Sequence, residues 1–119
     1  MSREALLDRL MDRYNAQDVD AYAAMFTEDG CEGGYRGEVV RQGRDGIRAG
    51  YAKVFAEFPQ NRAEVIEKFV YGDQILVREN VRRSPETEPF EVMAIYSFAG
   101  DKVSRVVRPV ANGDKWFAL

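Results

Sequence analysis

Histidine is absent from this 119-residue chain, and cysteine occurs once, as Cys31. Without histidine there is no Ser-His-Asp triad, no Cys-His dyad, no His-ligated zinc or haem, and no imidazole acid–base chemistry. One cysteine excludes an intrachain disulfide and any C-x-x-C motif, and with no base partner Cys31 reads as a small inert residue. No run approaches 18 apolar residues, and no apolar signal-peptide core follows Met1-Ser2-Arg3-Glu4. Cytoplasmic residence, with no membrane partner, is therefore the expectation. A block of one charge is missing too. The 17 basic and 20 acidic residues are spread along the chain to a net −3, which leaves no clustered basic face for nucleic acid. Arg82-Arg83 is the densest basic spot and reads as a solvated strand end. No nucleotide-binding glycine motif (G-x-G-x-x-G, or G-x-x-x-x-G-K-S/T) stands in the right place, and the carboxylates lack metal-ligand spacing. No metal and no cofactor is expected.

What is present is ordinary for a globular protein, with 45% hydrophobic and 31% charged residues. A chain of this length is one domain, 1–119, able to bury roughly two-thirds of its unfolded surface. Residues 2–14 predict a helix: Ser2 is placed to cap it, and Leu6, Leu7, Leu10, Met11 and Tyr14 recur at three- and four-residue steps. Asn15-Ala16-Gln17 breaks the pattern. Asp18 then caps a second short helix, whose Val19, Tyr22, Met25 and Phe26 share a face and which Glu28-Asp29-Gly30 ends. Residues 31–42 read as short strand pieces around a loop. Gly43 introduces a third helix with Asp45 in its first turn, a buried stripe of Ile47, Tyr51, Val54, Phe55 and Phe58, and a stop at Pro59.

Beyond Pro59 the period falls to two. Residues 62–71, 75–83, 90–98 and 103–110 are strand-like, separated by Gly72-Asp73, Ser84-Pro85-Glu86-Thr87 and Gly100-Asp101 turns. Helices followed by a four-strand meander make an α+β order. Asn112-Gly113-Asp114 reads as a last turn, after which Trp116 and Phe117 are expected to cap the core or meet a partner subunit.

In this order the chain resembles the nuclear-transport-factor-2-like superfamily, in its SnoaL-like and ketosteroid-isomerase-like branch. The resemblance covers nearly the whole chain. It is carried by Tyr-Asn-Ala-Gln-Asp-Val-Asp-Ala-Tyr-Ala-Ala-Met-Phe-Thr-Glu-Asp at 14–29, by Gly43-Arg-Asp-Gly-Ile47, and by Ile95-Tyr-Ser-Phe-Ala-Gly-Asp-Lys-Val103. It implies a cystatin-like roll: a cone-shaped, curved antiparallel sheet wrapped around three helices of the N-terminal half, with a cavity at the wide end. It does not imply one activity, because the superfamily holds isomerases, cyclases, dehydratases, carriers and dimer modules. Ketosteroid isomerase-like catalysis would require an aspartate near Gly34, an acid where Ala94 stands and a tyrosine earlier on the first helix than Tyr14. SnoaL-type cyclases and scytalone dehydratase-like enzymes use histidine, which is missing. None of these catalytic sets carries over.

Strand parity sorts the side chains of an expected, largely apolar pocket. Ile75, Val77, Glu79 and Val81 share the inner face, as do Phe90, Val92, Ala94, Tyr96 and Phe98. By the resemblance, Val106, Arg108 and Val110 face inward from the last strand, and Glu32 and Gly34 from the first. Glu79 then stands as a carboxylate among apolar neighbours, and two readings of it stay open. Desolvation would raise its pKa and make it an acid–base catalyst, with Tyr96 as a hydrogen-bond donor. Alternatively, Arg108 neutralises it and the pair shapes the fold. Tyr14, Glu32, Phe55, Val77 and Arg108 complete the expected ligand-facing set, with Glu32 either a second acid or a solvated loop carboxylate. Three functions follow: a binder of a small hydrophobic or weakly acidic metabolite, an isomerase-, cyclase- or dehydratase-like enzyme, or a dimerisation module. Leu76, Ile66, Met93 and Ile95 place more apolar surface on the outer sheet face than solvent favours, so a homodimer through that face is expected.

Overall fold

A computed structural model describes residues 1–108. The expectations for Val110, for the 112–114 turn and for Trp116 and Phe117 lie outside the described residues. Helix α1 (Arg3–Asn15) begins where the Ser2 hydroxyl accepts the Ala5 N–H at 3.1 Å, and it buries Leu6, Leu7, Leu10 and Tyr14. Helix α2 (Val19–Ala23) is capped in the same way by Asp18. Between them Gln17 takes a left-handed φ of 59°, a conformation costly for a residue with a side chain. Its amide offsets that cost by donating to the Phe58 and Asn61 carbonyls, and Asn15 brackets Ala63 by accepting from its N–H and donating to its carbonyl.

Helix α2 is shorter than the periodicity suggests. Phe26, expected on its face, instead opens strand β1 (Phe26–Gly34), which absorbs Glu28-Asp29-Gly30. Tertiary pairing decides this: β1 lies beside the last strand, the Val103 N–H donates to the Met25 carbonyl at 2.8 Å, and the Phe26 ring is wholly buried. A hairpin leads to β2 (Val39–Gln42), and at Gly33 a Cβ would stand 2.0 Å from the Glu38 carbonyl oxygen, so only glycine permits the approach. Helix α3 (Gly43–Glu57) then lays Ile47, Tyr51, Val54 and Phe55 on the sheet.

Four strands follow: β3 (Arg62–Tyr71), β4 (Gln74–Arg82), β5 (Phe90–Ala99) and β6 (Lys102–Arg108). They complete one six-stranded sheet in the order β2-β1-β6-β5-β4-β3. The sheet was expected to be antiparallel, and it is except between β1 and β6, which run parallel. A bulge between Val65 and Glu67 shifts the β3 register and exchanges the faces of the strand's second half. The core lies between the concave face and the three helices. There Tyr14, Tyr22, Phe26, Tyr51 and Phe55 form a ring cluster with centroids 4.8–6.4 Å apart, each pair adding about 0.5–1.5 kcal/mol beyond its buried area.

Candidate functional site

Parity on β4 buries Ile75, Val77, Glu79 and Val81 and leaves Leu76 and Arg78 half exposed, so Glu79 does face the concave side. Pairing brings the other charged groups to it. Glu32 of β1 sits opposite Val106 of β6, which sits opposite Tyr96 of β5, while Arg108 lies opposite Gly34. The result is a buried ionic centre. Glu79 accepts from the Tyr96 hydroxyl at 2.5 Å and from Arg108 Nη1 at 3.4 Å. Glu32 accepts from the Tyr51 hydroxyl at 2.6 Å and Arg41 Nη1 at 2.5 Å, and Arg108 Nε lies 3.6 Å from its second oxygen. Arg108 therefore bridges two acids, each of which also holds one tyrosine hydroxyl.

Burial acts to lower the Arg108 guanidinium, but Tyr96, Glu79, Tyr51 and Glu32 outweigh it and hold the group well above its ordinary value. Burial, reinforced by the adjacent carboxylates, keeps the Tyr96 and Tyr51 hydroxyls protonated far above the phenol value of 10.0. These tyrosines donate to the acids and do not ionise. Arg41 reaches Glu32 by lying across α3 at Gly50, where a Cβ would stand 2.1 Å from its Nε, and its guanidinium packs 4.7 Å over the Tyr51 ring.

Above this centre lies a small cavity of about 30 Å³, lined by Met11, Tyr14, Tyr22, Arg41, Tyr51, Val54, Ala63, Glu79, Val81, Arg83, Val92, Tyr96 and Arg108. That space holds one or two waters. Charged groups share this wall: four tyrosines, three arginines and a glutamate line it together with five apolar residues. At its rim Arg83 donates from Nη1 to Asn61 Oδ1 at 3.1 Å, and the guanidinium packs 5.0 and 5.2 Å from the Phe58 and Phe90 ring centres. Its contact with Arg83 fixes the Asn61 amide so that Nδ2 donates to the Tyr14 hydroxyl at 2.6 Å. Burial lowers the Arg83 guanidinium below the ordinary arginine value, and among the described residues no carboxylate stands within ion-pair distance of it.

The cavity wall thus includes Glu79, Tyr96, Tyr14 and Arg108 from the expected set. Glu32 lies one layer behind it, reaching the wall through Tyr51, Arg41 and Arg108. The reading of Glu32 as a solvated loop carboxylate is corrected: it is wholly buried on β1. Phe55 and Val77 sit in the core, Phe55 against Tyr14 at 5.4 Å. Sequence reasoning missed Arg41, Tyr51, Asn61 and Arg83. Arg83 was read as solvated, yet it is half-buried because Phe58 and Asn61 at the α3–β3 turn fold over it. The available signal was parity, since 83 continues the inward series 75, 77, 79, 81. Among the described residues, no three His, Cys, Asp or Glu side chains group as metal ligands do. No helix among them is long and apolar enough to cross a membrane.

Similarity to known proteins follows the same outline. A solved cystatin-fold protein from Novosphingobium aromaticivorans is 46% identical, over 92% of this chain and 99% of its own, with a TM-score of 0.84. A ketosteroid isomerase-like fold from Catenulispora acidiphila, solved with trimethylamine, is 15% identical over 93% of this chain and 88% of its own (TM-score 0.72). An NTF2-like protein of unknown function from Cytophaga hutchinsonii is 12% identical over 91% and 88% (TM-score 0.73). No curated protein matches. The model of the SnoaL-like domain matches residues 7–106. Spanning most of the chain, from α1 to the middle of β6, that match makes this protein a member of the SnoaL-like domain family, with the α+β, NTF2-like fold of the group.

Proposed function

We propose that this domain binds a small, weakly acidic metabolite in the cavity above Arg108 and is not a catalyst. One observation carries the reading: the two buried acids already hold tyrosine donors and are matched by Arg41 and Arg108, whereas Arg83, the third guanidinium of the cavity wall, has no carboxylate within ion-pair distance among the described residues. A free base is what an isomerase or dehydratase would need, and each Glu79 oxygen already accepts a donor, Tyr96 on one and Arg108 on the other. Surplus positive charge in a partly desolvated site favours an anion. The small volume favours a compact acid, or the acid head of a longer one, over a sterol. The trimethylamine held by the Catenulispora relative is the opposite case, an amine, and it supplies the control.

Thermal unfolding with short carboxylates, with trimethylammonium and with a sterol tests this. Carboxylates raise the Tm in a saturable way and the other two do not. A shift produced by the amine alone, or by none of them, rejects the reading. The enzymatic alternative, Glu79 as acid–base group, has its own test: on any substrate found, Glu79→Gln would abolish turnover.

A second reading rests on the outer sheet face. Ile66, Phe69, Tyr71 and Met93 are 42, 63, 80 and 41% exposed there, while the expected Leu76 and Ile95 are half-buried between them. Exposed rings on an edge strand favour a covering partner, and we propose a second copy of this chain. Sedimentation at tens of micromolar protein gives a dimer, and a monomer would reject it. Cytoplasmic residence stays part of the same proposal, and fractionation of cells producing the protein checks it.

A further inference from the structure

We propose that Arg83, Asn61 and Tyr14 form the subsite that takes the carboxylate of the ligand, an assignment that rests on the binding reading above and moves the anion from Arg108 to the rim. The floor and the rim answer charge differently. Arg108 is shared by Glu32 and Glu79 at 3.6 and 3.4 Å, so an incoming anion there would have to displace an acid or share its guanidinium. Arg83 has no such neighbour among the described residues. Of its five N–H donors, one goes to Asn61 and another is directed to the Tyr14 hydroxyl oxygen. The Phe58 and Phe90 rings and those contacts hold the guanidinium against the cavity wall, which leaves fork-like donors for a planar acceptor.

Tyr14 supports the same partner. Its hydroxyl oxygen accepts from Asn61, and among the described residues no bond uses its hydrogen. Buried beside Arg83, that hydrogen is a donor in want of an acceptor. The groups converging on the rim are thus donors with one acceptor, Asn61 Oδ1, already used by Arg83. A planar carboxylate satisfies both the guanidinium and the phenol, with its tail toward Met11, Ala63 and Val81. The site is rigidly framed, because Asn15 and Gln17 tie the α1–α2 turn to residues 58, 61 and 63 by four hydrogen bonds.

The test uses the full chain and the sodium salts of acetate, propionate and butyrate, titrated by NMR while the Arg83 Nε–H signal is followed. Inorganic phosphate and trimethylammonium chloride are the comparison probes. Wild type gives saturable shifts of Arg83 with the carboxylates, Arg83→Gln weakens binding at least tenfold, and Arg83→Lys recovers part of it. Asn61→Asp, which supplies an internal carboxylate to Arg83, weakens binding to the same degree without lowering the Tm. Carboxylates that bind Arg83→Gln and Asn61→Asp as tightly as wild type would place the subsite elsewhere and overturn the assignment, while the binding reading survives. Phosphate binding more tightly than every carboxylate overturns the ligand class. No saturable binding of any carboxylate to wild type overturns both.

Discussion

Two charged regions of one pocket, a few residues apart in the fold, are built on different terms. At the floor every charge is answered: Glu32 and Glu79 share Arg108, and Arg41, Tyr51 and Tyr96 donate to them as well. At the rim Arg83 is half-buried and rests on two phenyl rings and an amide. Removing one member of a buried, matched network leaves an unanswered charge in low dielectric, which costs several kcal/mol. Removing the half-exposed Arg83 strands no carboxylate among the described residues and costs the Asn61 amide oxygen one hydrogen bond. The floor therefore belongs to the fold and the rim to whatever enters.

Four substitutions break or sharpen that contrast. Arg108→Met leaves Glu79 buried without a cation and Glu32 with Arg41 alone, and lowers stability by about 3–5 kcal/mol in urea titration; a loss below about 1 kcal/mol would mean the floor is not a structural unit. Gly50→Ala changes no charge, yet it pushes Arg41 off its path to Glu32, and overpacking of this kind lowers stability by roughly 2 kcal/mol in the same titration. Tyr51→Phe acts through pH. The buried hydroxyl is protonated in both states below its unfolded value of 10.0, and above it the unfolded chain releases that proton first. The stability drop from pH 9 to pH 11 is therefore smaller in Tyr51→Phe than in wild type, by about 1.4 kcal/mol. Arg83→Gln, at the rim, changes urea stability by less than about 1 kcal/mol, and a larger loss would erase the distinction between the two regions.

Much of the fold was legible because local physics settles it. Caps at Ser2 and Asp18, the stop at Pro59 and the period-two runs place the helices and the four long strands. The inward turn of Glu79 and Tyr96 follows from parity alone. What was illegible depends on residues far apart in sequence. Nothing local to Glu28-Asp29-Gly30 says that a strand runs through it; the partner that makes it one is β6, more than 70 positions later. The bulge after Val65, which carries Phe69 and Tyr71 to the outer face, has no glycine or proline to announce it. Glu32 reads as a loop acid until Arg41, Tyr51 and Arg108 gather around it. Arg83 shows the same limit in reverse: its parity was on the page, but an Arg-Arg pair before a turn reads as solvated unless Phe58 and Asn61 are known to lie above it.

The central position of β6 has a consequence for how the chain is made. As synthesis proceeds, β1–β2 and β3–β4–β5 emerge as two separate ribbons with nothing to join them, each showing a raw backbone edge. The strand that zips them arrives last of the six described and brings Arg108 with it, so two acids remain without their common counterion until it joins. A nascent chain halted before residue 102 is thus both open-edged and electrostatically unfinished, a state that invites capture by chaperones or by another ribbon of its kind.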